Sequence, residues 1–258
     1  AAVAEKDYQG SHGNDRDMQG RLLSKIEVPG DVAAGSPVRY NPGGIAGIYA
    51  SENSRSALFA AMQRRETFGT SGPRIEPRFF AGWDLREDVC QSSEYPADAY
   101  RDGVPMGASL PPAPADVTVR GPVFVASATR DPREGGNLLQ RIQIIKGWID
   151  RDGRTHQAVF DIAGAAAGEA SVDAQTCEVT GRGFSQLCGS WQDPEFDPQL
   201  AAVYYARVLE NPSCRWHHYD CLSLPEAERP QSCSDPDLPW QIQERAWTSP
   251  IWYSAATP

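Results

Sequence analysis

The stretch Asp150-Arg151-Asp152-Gly153 lies between two long strand-forming runs, and no other feature of the sequence narrows the fold as far. Gly tolerates the positive φ that a tight reversal needs, and Asp can hydrogen-bond its own backbone, so these four residues read as a hairpin turn. Leu139 to Ile149 enters the turn and Thr155 to Ala163 leaves it. Further strands are expected at Val117 to Thr129, interrupted only by Gly121-Pro122, and at Leu200 to Leu209. A shorter irregular hairpin is expected between Gly164 and Trp191, a cysteine-stapled loop over Asn211 to Gln241, and a closing aromatic segment at Glu244 to Tyr253. Strands at turn-separated spacing, with 23 Gly and 21 Pro in 258 residues, predict a mainly β chain rather than a helical bundle. Residues 105–258 are assigned to an antiparallel β-sandwich-like domain.

The N-terminal part reads differently. Residues 1–40 are polar, and Gly10, Gly13, Gly20, Gly30 and Gly35 interrupt every periodic pattern, so a surface excursion is expected there. Residues 44–50 form a short apolar run suited to a buried strand, and Ser51-Glu52-Asn53-Ser54-Arg55 can cap a following helix. Ala57, Leu58, Ala61 and Met62 share one face of that helix, with Gly69 placed to stop it. Thr70-Ser71-Gly72-Pro73 then turns the chain into a strand over Arg74 to Phe80.

Charge and cysteine usage remove several function classes. Against 24 Lys and Arg stand 34 Asp and Glu, for a net charge of -10 and with no basic block, so phosphate backbones are repelled and no nucleic-acid partner is expected. No apolar run approaches the ~18 residues of a membrane span. Ala1 to Asp7 has neither an initiating Met nor the form of a signal peptide, so the translation start is expected upstream. Five of the six cysteines fall after residue 176, among Pro, Asp and Ser, which predicts disulfides and a periplasmic or secreted protein; buried thiols are the alternative. Cys214, His217, His218 and Cys221 could grip zinc from one loop, but their spacing is not that of a zinc finger and Cys233 offers a pairing thiol. The four histidines, His12, His156, His217 and His218, are too scattered for a self-contained metal enzyme, and His12 is expected to be exposed.

Two segments carry candidate chemistry. Glu52, Asn53 and Arg55 follow a strand and open a helix, where free N–H groups and a guanidinium favour an anion; a capped helix with a solvated Arg is the simpler reading. Thr70, Ser71 and Arg74 could present hydroxyls and a guanidinium to a substrate, or form only a Gly-Pro turn. Trp191, Trp240, Trp247 and Trp252 could stack on a glycan or complete a core. There is no nucleophile elbow, phosphate-cradling loop or HExxH pair.

Several long stretches together resemble the C-terminal part of the bacterial domain-of-unknown-function family thirty-six-oh-four. They are residues 41–55, Arg65-Glu66-Thr67-Phe68-Gly69-Thr70-Ser71-Gly72-Pro73-Arg74, Leu139 to Trp148, Trp191 to Pro198, Tyr204 to Glu210 and Gln243 to Tyr253. The resemblance implies kinship with the polymerase-and-histidinol-phosphatase (PHP) metallohydrolases, whose distorted α/β barrel holds divalent metal ions with His, Asp and Glu. It implies that residues 41–104 supply the closing strand-helix elements of such a barrel, with Glu66 to Pro73 the exit of its last helix, and that the β-sandwich is appended. The metal ligands, for zinc, manganese or iron, are then expected before Ala1, on an N-terminal portion of the same protein, and none on this chain. The expected function is that of the C-terminal portion of an exported hydrolase acting on a small anionic substrate, a phosphate or carboxylic ester. Glu52, Asn53 and Arg55 are its catalytic candidates and Thr70, Ser71 and Arg74 its substrate-binding ones. The alternative is a noncatalytic β-sandwich that binds a glycan or a protein partner.

Overall fold

The computed structural model describes residues 5–8, 22, 37–114 and 121–255. In chain order the first elements are β1 (Ile45–Ile48), α1 (Arg55–Gln63), β2 (Thr67–Thr70), β3 (Glu76–Gly82), α2 (Ala97–Asp102), β4 (Val104–Pro105) and β5 (Val123–Thr129). There follow β6 (Leu139–Ile149), β7 (Thr155–Gly164), β8 (Ala170–Val172), β9 (Val179–Gly181), β10 (Gln186–Gln192) and β11 (Ala202–Glu210). The chain closes with β12 (Ser213–Cys214), α3 (Trp216–Ser223), β13 (Gln241–Ile242), β14 (Arg245–Thr248) and β15 (Ile251–Tyr253).

Two antiparallel sheets form the frame. The larger runs β1-β2-β14-β11-β6-β7 with β15 also on β11, and the smaller runs β10-β5-β3-β4. Alternation places one face of each sheet inward: along β11, Ala202, Tyr204, Ala206 and Val208 are buried while Val203, Tyr205 and Arg207 are only partly so. They meet Phe79 of β3, Phe124 of β5 and Leu187 of β10 in one core with Ile142 and Ile144 of β6. The reverse face of the small sheet is covered too, since Phe80 and Val125 pack with Leu85, Val89 and Ala99 around α2.

The Asp150 hairpin joins β6 to β7 as expected, with Ile149 opposite Thr155. Asp150 Oδ1 accepts the N–H groups of Asp152 and Arg154, both at 2.9 Å, and Gly153 takes φ 79°, so both turn residues act as their chemistry requires. Ser54 caps α1, its Oγ accepting the Ala57 N–H at 3.3 Å. The helix does not run to Gly69. It stops at Arg64, after which Arg65 turns left-handed at φ 59°, held by its Nε–H to the Gly107 carbonyl at 2.9 Å and by stacking over Trp252. Gly69 lies within β2, between Ala46 and Trp247.

The barrel-closing arrangement expected over 41–104 is not what the sheets display. Strands flanking a barrel helix run parallel, whereas β1 and β2 pair antiparallel, Ile45 opposite Thr70, and β2 continues onto β14. No sheet among the described residues closes into a barrel. Within 1–40, the described residues Tyr8, Leu22 and Val38 are buried against Trp216, Cys221 and Leu238; His12 and most of that stretch lie outside the described residues, as does 117–120 of the expected fifth strand. The loop over 211–241 contains α3. All six cysteines are paired, as Cys90–Cys188, Cys177–Cys214 and Cys221–Cys233. No helix among the described residues is long and apolar enough to cross a membrane.

Candidate functional site

The two groups of candidate residues stand at opposite ends of the β1–β2 ladder. At the Ile48–Thr67 end, Glu52, Asn53 and Arg55 are exposed. Glu52 Oε1 accepts the Ser54 hydroxyl at 2.7 Å, and Arg55 has no ion pair among the described residues. This is a capped helix start with a solvated guanidinium.

The Ile45–Thr70 end is built more tightly. Gly44 lets the β1 entry approach the Thr70 carbonyl, which a Cβ there would meet at 2.4 Å. Thr70 is buried, its Oγ1 accepting the Gly72 N–H at 3.3 Å. Ser71 reaches across to β14: its N–H donates to the Arg245 carbonyl at 2.9 Å, its Oγ accepts the Arg245 N–H at 2.8 Å, and its hydroxyl donates to Glu244 Oε2. Arg74 contributes backbone rather than guanidinium, donating its N–H to Asp131 Oδ2 at 2.7 Å while its side chain stays outside.

Beside this corner lies a cavity of about 260 Å³ whose wall includes Glu5, Asp131, Arg133, Glu210 and Glu244. Glu5 Oε2 accepts the Trp216 N–H at 2.7 Å, but its Oε1 meets no donor, and the same is true of Glu210 Oε1. Burial pushes the Glu5 carboxyl up to about 7, the Trp216 N–H offsetting part of the rise and the neighbouring Glu244 adding to it. Burial likewise raises Glu244, and raises Glu210 well above the carboxylate range with help from the charges of Glu244 and Asp131. Asp131 behaves oppositely. Burial works against its charge, but Arg133 and the backbone N–H groups of Arg74 and Arg133 hold it down to about 2.

Arg215 sends its Nη2 to the carbonyls of Arg39 and Tyr40 at 3.3 and 3.0 Å, leaving its buried Nε without an acceptor. His217 is buried and driven down to about 4, by burial first and then by Arg215 and His218, so it is neutral at physiological pH. Among the described residues one trio of metal-type ligands lies within 4.8 Å, Cys177, Cys214 and His218. Its sulfurs are joined to each other and His218 Nε2 bonds the Ala174 carbonyl at 2.7 Å, so the trio does not fit a metal ion. The four tryptophans are engaged separately: Trp191 stacks on Phe160, Trp240 tilts against His218, Trp252 lies under Arg65, and Trp247 is part-exposed on β14.

Ser71 was singled out by sequence, whereas Glu210, Glu244, Glu5, Asp131 and Arg133 were not. Glu210 and Glu244 do sit inside stretches that carry the family resemblance, so three such stretches, far apart in sequence, meet at this one cavity through Pro73, Glu210 and Glu244, with Ser71 bonded to Glu244 behind the wall. A buried-register carboxylate closing a largely apolar strand, as Glu210 closes β11, is the signal that could have found it. Glu5 has no comparable signal, since its partner Trp216 is 211 residues away.

A family model described as "Protein of unknown function (DUF3604)" matches residues 1–255. No curated protein and no solved structure matches the chain.

Proposed function

The chain belongs to the DUF3604 family of proteins of unknown function, and on that basis we propose that it is the C-terminal portion of an exported hydrolase of phosphate or carboxylic esters, related to the PHP metallohydrolases. Among the described residues, none fits the divalent metal ions that such kinship implies. They belong, on this reading, to the N-terminal portion of the same protein, and the chemistry assigned here concerns this chain's own side chains.

The observation that carries the reading is the meeting of three family stretches at one buried carboxyl cluster. A carboxyl that keeps its proton near neutral pH can pass it to the oxygen leaving an ester, and buried carboxylates are tuned upward for this role. Glu244 is the proposed donor, oriented by Ser71 and pushed toward its protonated form by burial, which outweighs the opposing hydrogen bonds of Ser71 and Glu5. Arg55, at the exposed turn with Glu52 and Asn53, is proposed to hold an anionic group of the substrate where the N-terminal portion completes the site.

In the intact enzyme, Glu244→Gln should lower kcat for 4-nitrophenyl phosphate or 4-nitrophenyl acetate about 100-fold with little change in KM. Unchanged kcat would remove the cavity from the chemistry. Arg55→Ala should raise KM for the phosphate ester about 10-fold and leave kcat alone, as expected when a charged hydrogen bond to the substrate is lost; an unchanged KM excludes Arg55. The sign of the pH response follows from the raised carboxyls. The donor form of Glu244 is full below its raised value and is lost as pH rises through it, so kcat should decline on the alkaline side. Denaturing mass spectrometry of the native protein tests the division of labour: a companion polypeptide rich in His and Asp supports it, and a lone, inactive, glycan-binding chain supports the noncatalytic alternative.

A further inference from the structure

We infer that the cavity walled by Glu5, Glu210 and Glu244 binds a small organic cation through an ammonium or guanidinium group. On the ester-hydrolase reading, on which the placement rests, that cation is part of the substrate.

Hydrogen-bond accounting points this way. Glu210 is 3 % exposed and Glu5 7 %, yet each turns a buried carboxylate oxygen toward no donor. Such oxygens forgo water without recompense unless something supplies N–H or O–H groups. The cations at or near the wall do not reach these two oxygens: Arg133 clasps Asp131 through Nε and Nη2, Arg215 points Nη2 at backbone carbonyls, and Lys6 has its Nζ against Gly135. What these two oxygens lack is a donor.

Size and spacing choose the kind of cation. At about 260 Å³ the cavity accommodates an organic molecule of several heavy atoms. The only described ligand trio close enough to surround one metal ion is the disulfide-bound one, so these carboxylates are spread wider than one ion can bridge. An ammonium offers three donors and a guanidinium five, fanned out from a centre that carries the charge. Either can span from Glu210 to the neighbouring carboxyls of Glu5 and Glu244.

Isothermal titration calorimetry on the full chain, with agmatine and putrescine as probes, tests the inference. Saturable binding is expected, weakened at least ~10-fold by Glu210→Gln, the usual scale for one charge-assisted hydrogen bond. Inorganic phosphate should give no heat of binding. Because Glu210→Gln alters a buried position, Ser213→Lys provides a second reading: Ser213 lines the cavity, so a tethered ammonium should occupy the site and abolish agmatine binding. Lack of saturable binding by either probe, wild-type affinity in Ser213→Lys, or calcium binding that Glu210→Gln removes while agmatine is ignored would each overturn the inference. Agmatine binding by a protein that hydrolyses no ester defeats the hydrolase reading alone, and ester hydrolysis without cation binding defeats this inference alone.

Discussion

Asp193→Ala should destabilise the chain by about 3–5 kcal/mol, the scale observed when one partner of a buried ion pair is removed. Asp193 Oδ2 lies 2.6 Å from Lys146 Nζ and accepts the Tyr204 hydroxyl at 2.6 Å, with side-chain exposures of 6 % for Lys146 and 0 % for Asp193. Lys146 also donates to the Glu195 carbonyl at 3.1 Å, and Asp193 Oδ1 accepts the Glu195 N–H at 3.1 Å, so one carboxylate ties β6, β11 and the turn after β10 together. Its loss leaves an ammonium and a phenol buried without their acceptor. Burial, the largest cause that raises the Tyr204 phenol, persists in the variant and opposes ionisation of the phenol to compensate. The double variant Lys146→Met, Asp193→Leu should recover more than half of the loss, because replacing both charges removes the desolvation cost that breaking the pair exposes. Urea unfolding of the two variants decides it; a loss below about 1 kcal/mol for Asp193→Ala would mean that water reaches Lys146.

The same residues explain what the family stretches are for. Lys146, Asp193 and Tyr204 come from three of them and make this lock, while Pro73, Glu210 and Glu244 come from three and line the cavity. Long motifs therefore do not all mark chemistry. Some specify how the two sheets are pinned, and a sequence reading that treats every motif as a site overcounts.

Local rules were readable wherever the deciding atoms are close in sequence. Asp150 and Gly153 direct their own turn, Ser54 caps its own helix, and alternation along β11 follows from two-residue periodicity. The reading fails where the partner is distant. A strand, helix and strand over 45–70 suits a parallel crossover as well as an antiparallel return, since the link from Ile48 to Thr67 is long enough for either. What selects the antiparallel form lies far downstream, because β2 also has to pair with Ala246, Trp247 and Thr248. The helix ends before Gly69 for a related reason: Arg65 is an unusual residue for φ 59°, and the distant Gly107 and Trp252 hold that conformation. In the site, the proximity of Ser71 to Glu244, 173 residues on, is equally invisible to local pattern.

Replacing Cys90 and Cys188 with Ser should cost about 5 kcal/mol, the largest loss among the three bridges, because constraint of the unfolded chain grows with the loop closed. The three loops span 98, 37 and 12 residues, for which the chain-entropy relation gives about 5, 4 and 3 kcal/mol. The position of the first bridge adds to the effect. Cys188 lies on β10, an edge strand of the small sheet, and Cys90 packs with Phe80, Leu85 and Val125, so the bridge pins that edge to the layer covering the sheet's outer face. Thermal unfolding of the three paired Cys→Ser variants should rank them by loop length, with a fall in Tm of about 10–15 °C for the first. A different order, with Cys221–Cys233 costing most, would show that the buried cluster around Trp216 and not loop closure sets the scale. The same bridges test export: thiol titration of the denatured, unreduced protein should find no free thiol, and six would remove the periplasmic or secreted assignment together with this ranking.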